Sequence, residues 1–258
     1  MYMHFVTTGL KFPYQYYIGA KSASLFGEVK LWYLLKPNSE YFDKIVKEVE
    51  SEKINMNDDY PIFKNRYDHW NMVSKFDNLV WKVVSEYGGS VMGLDSITIK
   101  PFHDLLGDAD MLVGRDAETV VDSYCMHGAT CKKDSFLAKK IYEDSQKAMR
   151  GEELDGPNKI WRDGYIRFGA AGIIPFLNNI EKYKDQVKIN IADFGVLGGY
   201  MHDGSPFYLF EKSELLSKDT RTIPFYATWQ KYKYSMITPF SIRGTLLGDL
   251  VEELKLEG

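Results

Sequence analysis

The part of the chain that decides the fold is the run Tyr87-Gly88-Gly89-Ser90-Val91-Met92-Gly93-Leu94-Asp95-Ser96-Ile97-Thr98-Ile99-Lys100-Pro101-Phe102. Two glycines end the helix predicted before it, and the apolar residues that follow indicate a buried strand over residues 90–99. Lys100-Pro101 follows that strand. Asp95 lies within it, and an apolar run with one acid near its end is typical of a buried strand that delivers a carboxylate to a cleft.

Strands and helices alternate outward from this run. Residues 2–8 and 28–35 have the apolar composition of buried strands, and residues 111–113 are a shorter strand candidate. Apolar stripes and capping residues predict helices over residues 14–26, 39–50, 69–87, 135–149, 172–183 and 241–256. This order favours an α/β fold with a mostly parallel central sheet flanked by helices, whose ligand cleft lies at the carboxyl ends of the strands.

Composition excludes several classes of protein. The 258 residues are 45% hydrophobic and 26% charged, which is a globular balance and argues against disordered, collagen-like and coiled-coil chains. The formal net charge is -4 and the basic residues are scattered, so no nucleic-acid partner is indicated. No signal peptide is recognisable, and no segment approaches the roughly 18 apolar residues that a membrane span needs. We therefore expect a soluble, cytoplasmic protein in which Cys125 and Cys131 are free thiols.

The run around Asp95 resembles the DXD-containing glycosyltransferases related to yeast initiation-specific mannosyltransferase and to bacterial capsule and lipopolysaccharide enzymes. In that family a helix acid precedes an aromatic-Gly-Gly, and a strand ending in Asp-x-Asp precedes a Lys-Pro. Here Asp77 lies eleven residues before Gly88, and Gly88-Gly89 and Lys100-Pro101 match in register. The strand at residues 4–9 is similar to the family's opening strand, so the likeness covers roughly residues 2–116, with fainter similarity at 168–171 and 226–229.

Three positions depart from the family pattern. The first aspartate of the DXD motif is Gly93 here, so that only the second, Asp95, remains. The helix arginine is Val80, and the stacking tryptophan of the first strand is Thr7. The loss of the first aspartate leaves open a weakened metal site, metal-independent transfer, or a non-catalytic nucleotide- or glycan-binding protein derived from the same fold. Hydrolysis of the nucleotide sugar is a further alternative.

The resemblance implies one GT-A-like domain over residues 1–258. It also implies a retaining enzyme that transfers a hexosyl or pentosyl group from a UDP- or GDP-linked donor to a glycan or glycoprotein acceptor, assisted by Mn²⁺ or Mg²⁺. Asp95 is the implied metal ligand, and Asp95 and Asp77 are the implied catalytic residues. The implied donor-binding residues are Phe5, Val6, Thr7, Asp77, Gly88, Gly89, Gly93, Trp229 and Lys231. Trp229 would offer an aromatic face and Lys231 a phosphate cation, although a core tryptophan explains Trp229 equally well.

Other polar motifs have simpler explanations. Asp108-Ala109-Asp110 is a second DXD sequence, but it precedes a strand, which favours a solvated loop over a metal site. Asp116 is a candidate for acceptor contact, or for a surface ion pair with Arg115. His202-Asp203-Gly204 is a candidate lining of the sugar site.

His127 lies between the two cysteines, yet three ligands at this spacing do not make a structural zinc site, and a loop or turn is favoured. Ser241 is expected to cap the last helix beside Pro239-Phe240, where a diphosphate would meet free N–H groups.

Overall fold

A central sheet of seven strands organises the computed structural model, which describes residues 1–56, 68–115, 124–162, 165–167, 169–193, 195–197, 218–224 and 237–256. The strands of the described residues are β1 (Tyr2–Thr7), β2 (Glu28–Tyr33), β3 (Glu50–Lys53), β4 (Gly89–Met92), β5 (Ser96–Thr98), β6 (Met111–Arg115), β7 (Tyr124–Cys131), β8 (Trp161–Arg162), β9 (Tyr165–Ile166), β10 (Ile189–Ala192) and β11 (Thr222–Pro224). The order in the sheet is β10-β6-β7-β4-β1-β2-β3. All neighbours are parallel except β7, which is antiparallel to both β4 and β6. The predicted mostly parallel α/β sheet is therefore confirmed.

Helices cover both faces of this sheet. They are α1 (Tyr14–Ser24), α2 (Glu40–Ile45), α3 (Asp68–Tyr87), α4 (Phe136–Met149), α5 (Ile173–Tyr183) and α6 (Leu246–Glu253). Side chains alternate between the faces along a strand. Phe5 accordingly packs in the core cluster with α1, α2 and α6, whereas Val6 packs in the cluster with α3, α4 and α5. Among the described residues, no helix combines the length and apolar character needed to cross a bilayer.

The predicted strand over residues 90–99 is two strands. β4 ends at Met92, and β5 begins at Ser96 and pairs with β11 in a separate antiparallel ribbon. The Ser96 hydroxyl donates a hydrogen bond of 2.6 Å to the carbonyl oxygen of Gly93, which closes a turn between them. The prediction of strand structure in this run was correct, but the turn closed by Ser96 divides it into two strands and leaves Asp95 on the loop between them.

Three other predicted elements have different bounds or types. The segment around His127 is not a loop or turn but lies in β7, whose polar and small residues are buried between β4 and β6. The helix that begins after Ser39 ends at Ile45, and β3 follows it. The last helix begins at Leu246 with Thr245 as its cap, because the Thr245 hydroxyl accepts the Gly248 N–H at 3.2 Å. Ser241 instead exchanges hydrogen bonds with Thr238 in the preceding turn.

Candidate active site at the carboxyl edge of the sheet

The carboxyl ends of β1, β2, β4, β6 and β10 lie along one edge of the sheet, since these strands run in the same direction. β7 runs the other way and therefore begins at that edge. Ligands of open α/β sheets bind outside the carboxyl ends of the parallel strands. The loop of Gly93, Leu94 and Asp95 leaves β4 at this edge, close to the centre of the sheet.

Asp95 is a partly buried carboxylate that turns back over Gly93. A Cβ atom added to Gly93 would lie 2.8 Å from Oδ1 of Asp95 and 3.5 Å from Nδ1 of His127. Any larger side chain at position 93 would therefore require Asp95 to move.

Tyr16 brings an aromatic hydroxyl close to Asp95. It lies in the first turn of α1, and its side chain is partly buried. Burial, together with the negative charge of Asp95, raises the pKa of Tyr16 to about 12. The phenol therefore keeps its proton at neutral pH and can donate a hydrogen bond beside the carboxylate.

His127 also lies at this edge, whereas its sequence context favoured an ordinary loop or turn over a zinc ligand. Its Nδ1 accepts the backbone N–H of Gly93 at 3.2 Å, and its Nε2 lies 2.9 Å from the hydroxyl oxygen of Thr222. Because an amide can only donate, Nδ1 carries no proton and the neutral ring carries its proton on Nε2. Burial lowers the pKa of His127 to about 4, which agrees with a neutral imidazole. A strand interpretation of residues 124–131 would have placed His127 at the edge.

The residues present fit a divalent cation held by a single protein carboxylate. No group of three or more His, Cys, Asp or Glu side chains suited to a metal occurs within the described ranges. Cys125 and Cys131 are buried thiols of β7 that form no disulfide. Mn²⁺ and Mg²⁺ prefer hard oxygen ligands and commonly retain water or substrate phosphates. Asp95, partly exposed at the cleft edge, is a suitable carboxylate for such a site.

Asp77 lies in α3, on the other face of the sheet from α1. Its side chain is 5% exposed, and desolvation raises its pKa to about 7. The carboxyl group lies against Gly172, the N-cap of α5, where an added Cβ atom would be 2.3 Å from Oδ2 of Asp77. In the described part of the chain, no hydrogen bond joins Asp77 to Asp95. A strongly shifted buried carboxyl group is nevertheless a feature of functional sites as well as of strained cores.

The other predicted donor-binding residues lie in different places. Phe5 and Val6 are fully buried, so a donor could meet only their backbone, whereas Thr7 ends β1 at the carboxyl edge. Gly88 and Gly89 instead lie at the amino end of β4, on the opposite edge of the sheet. Their φ angles are +69° and +94°, which favour glycine, and an added Cβ at Gly89 would be 2.3 Å from the carbonyl oxygen of Tyr2.

Six of the residues named from the sequence lie outside the described part of the chain. They are Trp229, Lys231, Asp116, His202, Asp203 and Gly204. Trp229 and Lys231 follow β11 in the sequence, and β11 carries Thr222, the partner of His127. Their roles remain predictions.

The second DXD sequence has a structural function. The Asp110 carboxylate accepts hydrogen bonds from the Ser135 hydroxyl at 2.7 Å and from the backbone N–H groups of Phe136 and Leu137 at 3.2 and 3.0 Å. It thus caps the start of α4. Asp108 is exposed and forms an ion pair with Lys188. Both acids lie at the amino end of β6, on the opposite edge from Asp95.

Comparison with known proteins finds likeness among solved structures. No protein-family model matches the chain. No curated protein matches it either. Among solved structures, the chain is similar to the PaToxG glycosyltransferase, with 14% sequence identity, coverage of 72% of this chain and 68% of that chain, and a TM-score of 0.48. A likeness at this level does not establish a family.

Proposed function

We propose that the protein is a GT-A-like glycosyltransferase that moves a sugar from a UDP- or GDP-linked donor to a glycan or glycoconjugate. We further propose that transfer retains the anomeric configuration and is assisted by Mn²⁺ or Mg²⁺. The observation that carries the proposal is the position of Asp95, a partly buried carboxylate on the loop after a central parallel strand. The spacing of Asp95 from Gly88-Gly89 and from Lys100-Pro101, which matches the resembling family, supports the same function.

The chemistry makes specific demands on such a site. The bond between the sugar carbon and the diphosphate oxygen breaks, the acceptor oxygen bonds to the same carbon, and the proton of the acceptor hydroxyl passes to the departing diphosphate or to solvent. The departing diphosphate gains negative charge, and a divalent cation supplies the neutralising charge when it is bound. Asp95 would hold that cation from the protein side.

Two further side chains would orient the donor. The protonated Tyr16 hydroxyl, within electrostatic range of Asp95, would donate a hydrogen bond to a donor oxygen. Asp77, with its pKa near 7, can both donate and accept hydrogen bonds at neutral pH, which suits a sugar hydroxyl. Tyr16 is half-buried, whereas Asp77 is almost fully buried. Tyr16 is therefore the more accessible of these two side chains to a bound donor.

The test is turnover of a panel of UDP- and GDP-sugars with Mn²⁺, together with two matched substitutions. We expect Asp95→Asn to reduce turnover by about 100-fold or more, on the scale of losing an electrostatic group that stabilises the transition state. Asp108→Asn makes the same chemical change at an exposed acid of the opposite edge, so turnover should not change. Turnover that survives Asp95→Asn but not Asp108→Asn would show that the metal site is misplaced.

A non-catalytic nucleotide- or glycan-binding protein is the second candidate. The residue at position 93 favours it, because the loop after β4 carries one acid, Asp95, where the resembling family has two. Such a protein would bind UDP or GDP in the panel without consuming any donor. Binding calorimetry beside the turnover assay separates the two candidates.

A further inference from the structure

His127 links three separate parts of the chain at the candidate site. It belongs to β7, its Nδ1 accepts the Gly93 N–H of the loop after β4, and its Nε2 faces Thr222 of β11. Thr222 pairs with Thr98 of β5, the strand that follows the same loop. The imidazole therefore fixes the loop both directly and through the ribbon that continues it.

The hydrogen bond between the Gly93 N–H and His127 holds the residue against which the Asp95 carboxylate packs. Oδ1 of Asp95 lies so close to Gly93 that an added Cβ atom would be 2.8 Å away, so the carboxylate rests on this glycine. The carbonyl oxygen of Gly93 is also held, by the Ser96 hydroxyl at 2.6 Å. With its N–H bound by His127 and its carbonyl bound by Ser96, the Gly93 backbone has little freedom to rotate. A shift of Gly93 would move Asp95 with it.

We propose that His127 is the positioning residue of Asp95: its unprotonated Nδ1 holds the Gly93 N–H and thereby sets the direction of the Asp95 carboxylate. This inference rests on the proposed function for its effect on the cation. Groups that orient a metal ligand affect metal affinity without touching the metal. In this chain, the orienting histidine acts through a backbone amide and not through the ligand's own side chain.

Substitution of His127 by Asn or by Gln tests its two hydrogen bonds one at a time. The side-chain carbonyl of Asn reaches about as far as Nδ1 of His, so His127→Asn keeps an acceptor for Gly93. Gln reaches about as far as Nε2, so His127→Gln keeps a partner for Thr222 and loses the bond to Gly93. If His127 had only a general packing role, the two variants would behave alike.

The first measurement is Mn²⁺ affinity by electron paramagnetic resonance, in the presence of UDP and separately of GDP. We expect His127→Gln to weaken Mn²⁺ binding by about 10- to 100-fold and His127→Asn by no more than about threefold, the usual range for groups that support a metal ligand. Equal losses in both variants, or none in His127→Gln, would overturn the proposal. Thermal unfolding of each variant reports whether a loss comes from unfolding.

The second measurement does not depend on metal or activity. Long-range ¹H–¹⁵N spectra should show His127 with its proton on Nε2, and amide exchange at Gly93 should be faster in His127→Gln than in His127→Asn. A proton on Nδ1, or equal exchange in both variants, contradicts the proposal. If the wild type binds neither Mn²⁺–UDP nor Mn²⁺–GDP, the proposed function fails, and these spectra still decide whether His127 holds the loop.

Discussion

Replacing Asp77 by Asn should make the protein more stable at neutral and alkaline pH. The buried carboxyl group has its pKa raised from 3.8 to about 7 by desolvation. Well below pH 3.8 the acid is protonated in both the folded and the unfolded state, so its ionisation does not change the free energy of unfolding. As the pH rises toward 7, the unfolded chain releases its proton while the folded protein retains it, so the free energy of unfolding falls.

The size of the effect follows from the shift. About three pKa units at 1.36 kcal/mol each give about 4 kcal/mol above pH 7. The N-terminus of α5, beside Gly172, favours the ionised acid by as much as about 2 kcal/mol, so the net gain in Asp77→Asn should be about 2–4 kcal/mol. Between pH 5.5 and pH 8 alone, the advantage of the variant should grow by up to about 2 kcal/mol, and by less the more the α5 N-terminus stabilises the ionised acid.

Urea unfolding of both proteins at pH 5.5 and pH 8 measures this difference. The m-values should be equal, so that the change lies in stability and not in compactness. Asp108→Asn is the matched control, and it should show no such gain because Asp108 is exposed and paired with Lys188. An advantage for Asp77→Asn that is constant or shrinks with rising pH would refute the reasoning. If Asp77 also contacts the donor, the stabilised variant should turn over donor more slowly.

Three further outcomes test other parts of the structure. Asp110→Ala removes three hydrogen bonds at the start of α4 and should lower the unfolding free energy by about 1–2 kcal/mol in thermal melts, with turnover unaffected. Gly172→Ala places a Cβ atom against Asp77 and should cost about 1–3 kcal/mol, measured by urea unfolding. His4 is buried with its pKa lowered to about 4, so the protein should lose up to about 3 kcal/mol as the pH falls from 6.5 to 4, and His4→Asn should remove that contribution from the pH dependence of unfolding.

The strongly periodic segments of the sequence were predicted closely. The helix expected over residues 69–87 is α3, and those expected over 135–149 and 172–183 are α4 and α5. Each has an apolar face packed into one core cluster, and that face is the signal that sequence periodicity records. The strands at residues 2–8 and 28–35 were found for a related reason, since strands of a central parallel sheet are apolar on both faces.

Apart from the local turn at Gly93 and the cap of the last helix, the parts that escaped prediction depend on long-range partners. The run of residues 124–131 has little strand character, and it forms β7 because β4 and β6 provide partners on both sides. The connection of His127 to Gly93 and Thr222 spans distant parts of the chain, so no local pattern could reveal it. Asp95 could be singled out from the sequence because its signal, an acid near the end of an apolar run, is local, and its role stays a prediction. The burial of Asp77 depends on Gly172, which is far away in sequence.

The antiparallel direction of β7 also shapes the order in which the sheet can assemble. Only residues 116–123 separate β6 from β7, whereas residues 8–88 separate β1 from its partner β4. Closing a long loop costs more chain entropy than closing a short one, and pairings between distant segments form slowly. The β6–β7 pair can therefore form early and act as a template for β4, while the join between β1 and β4 completes the sheet late. Changes in chain length between β1 and β4 would then act more on the folding rate than on final stability.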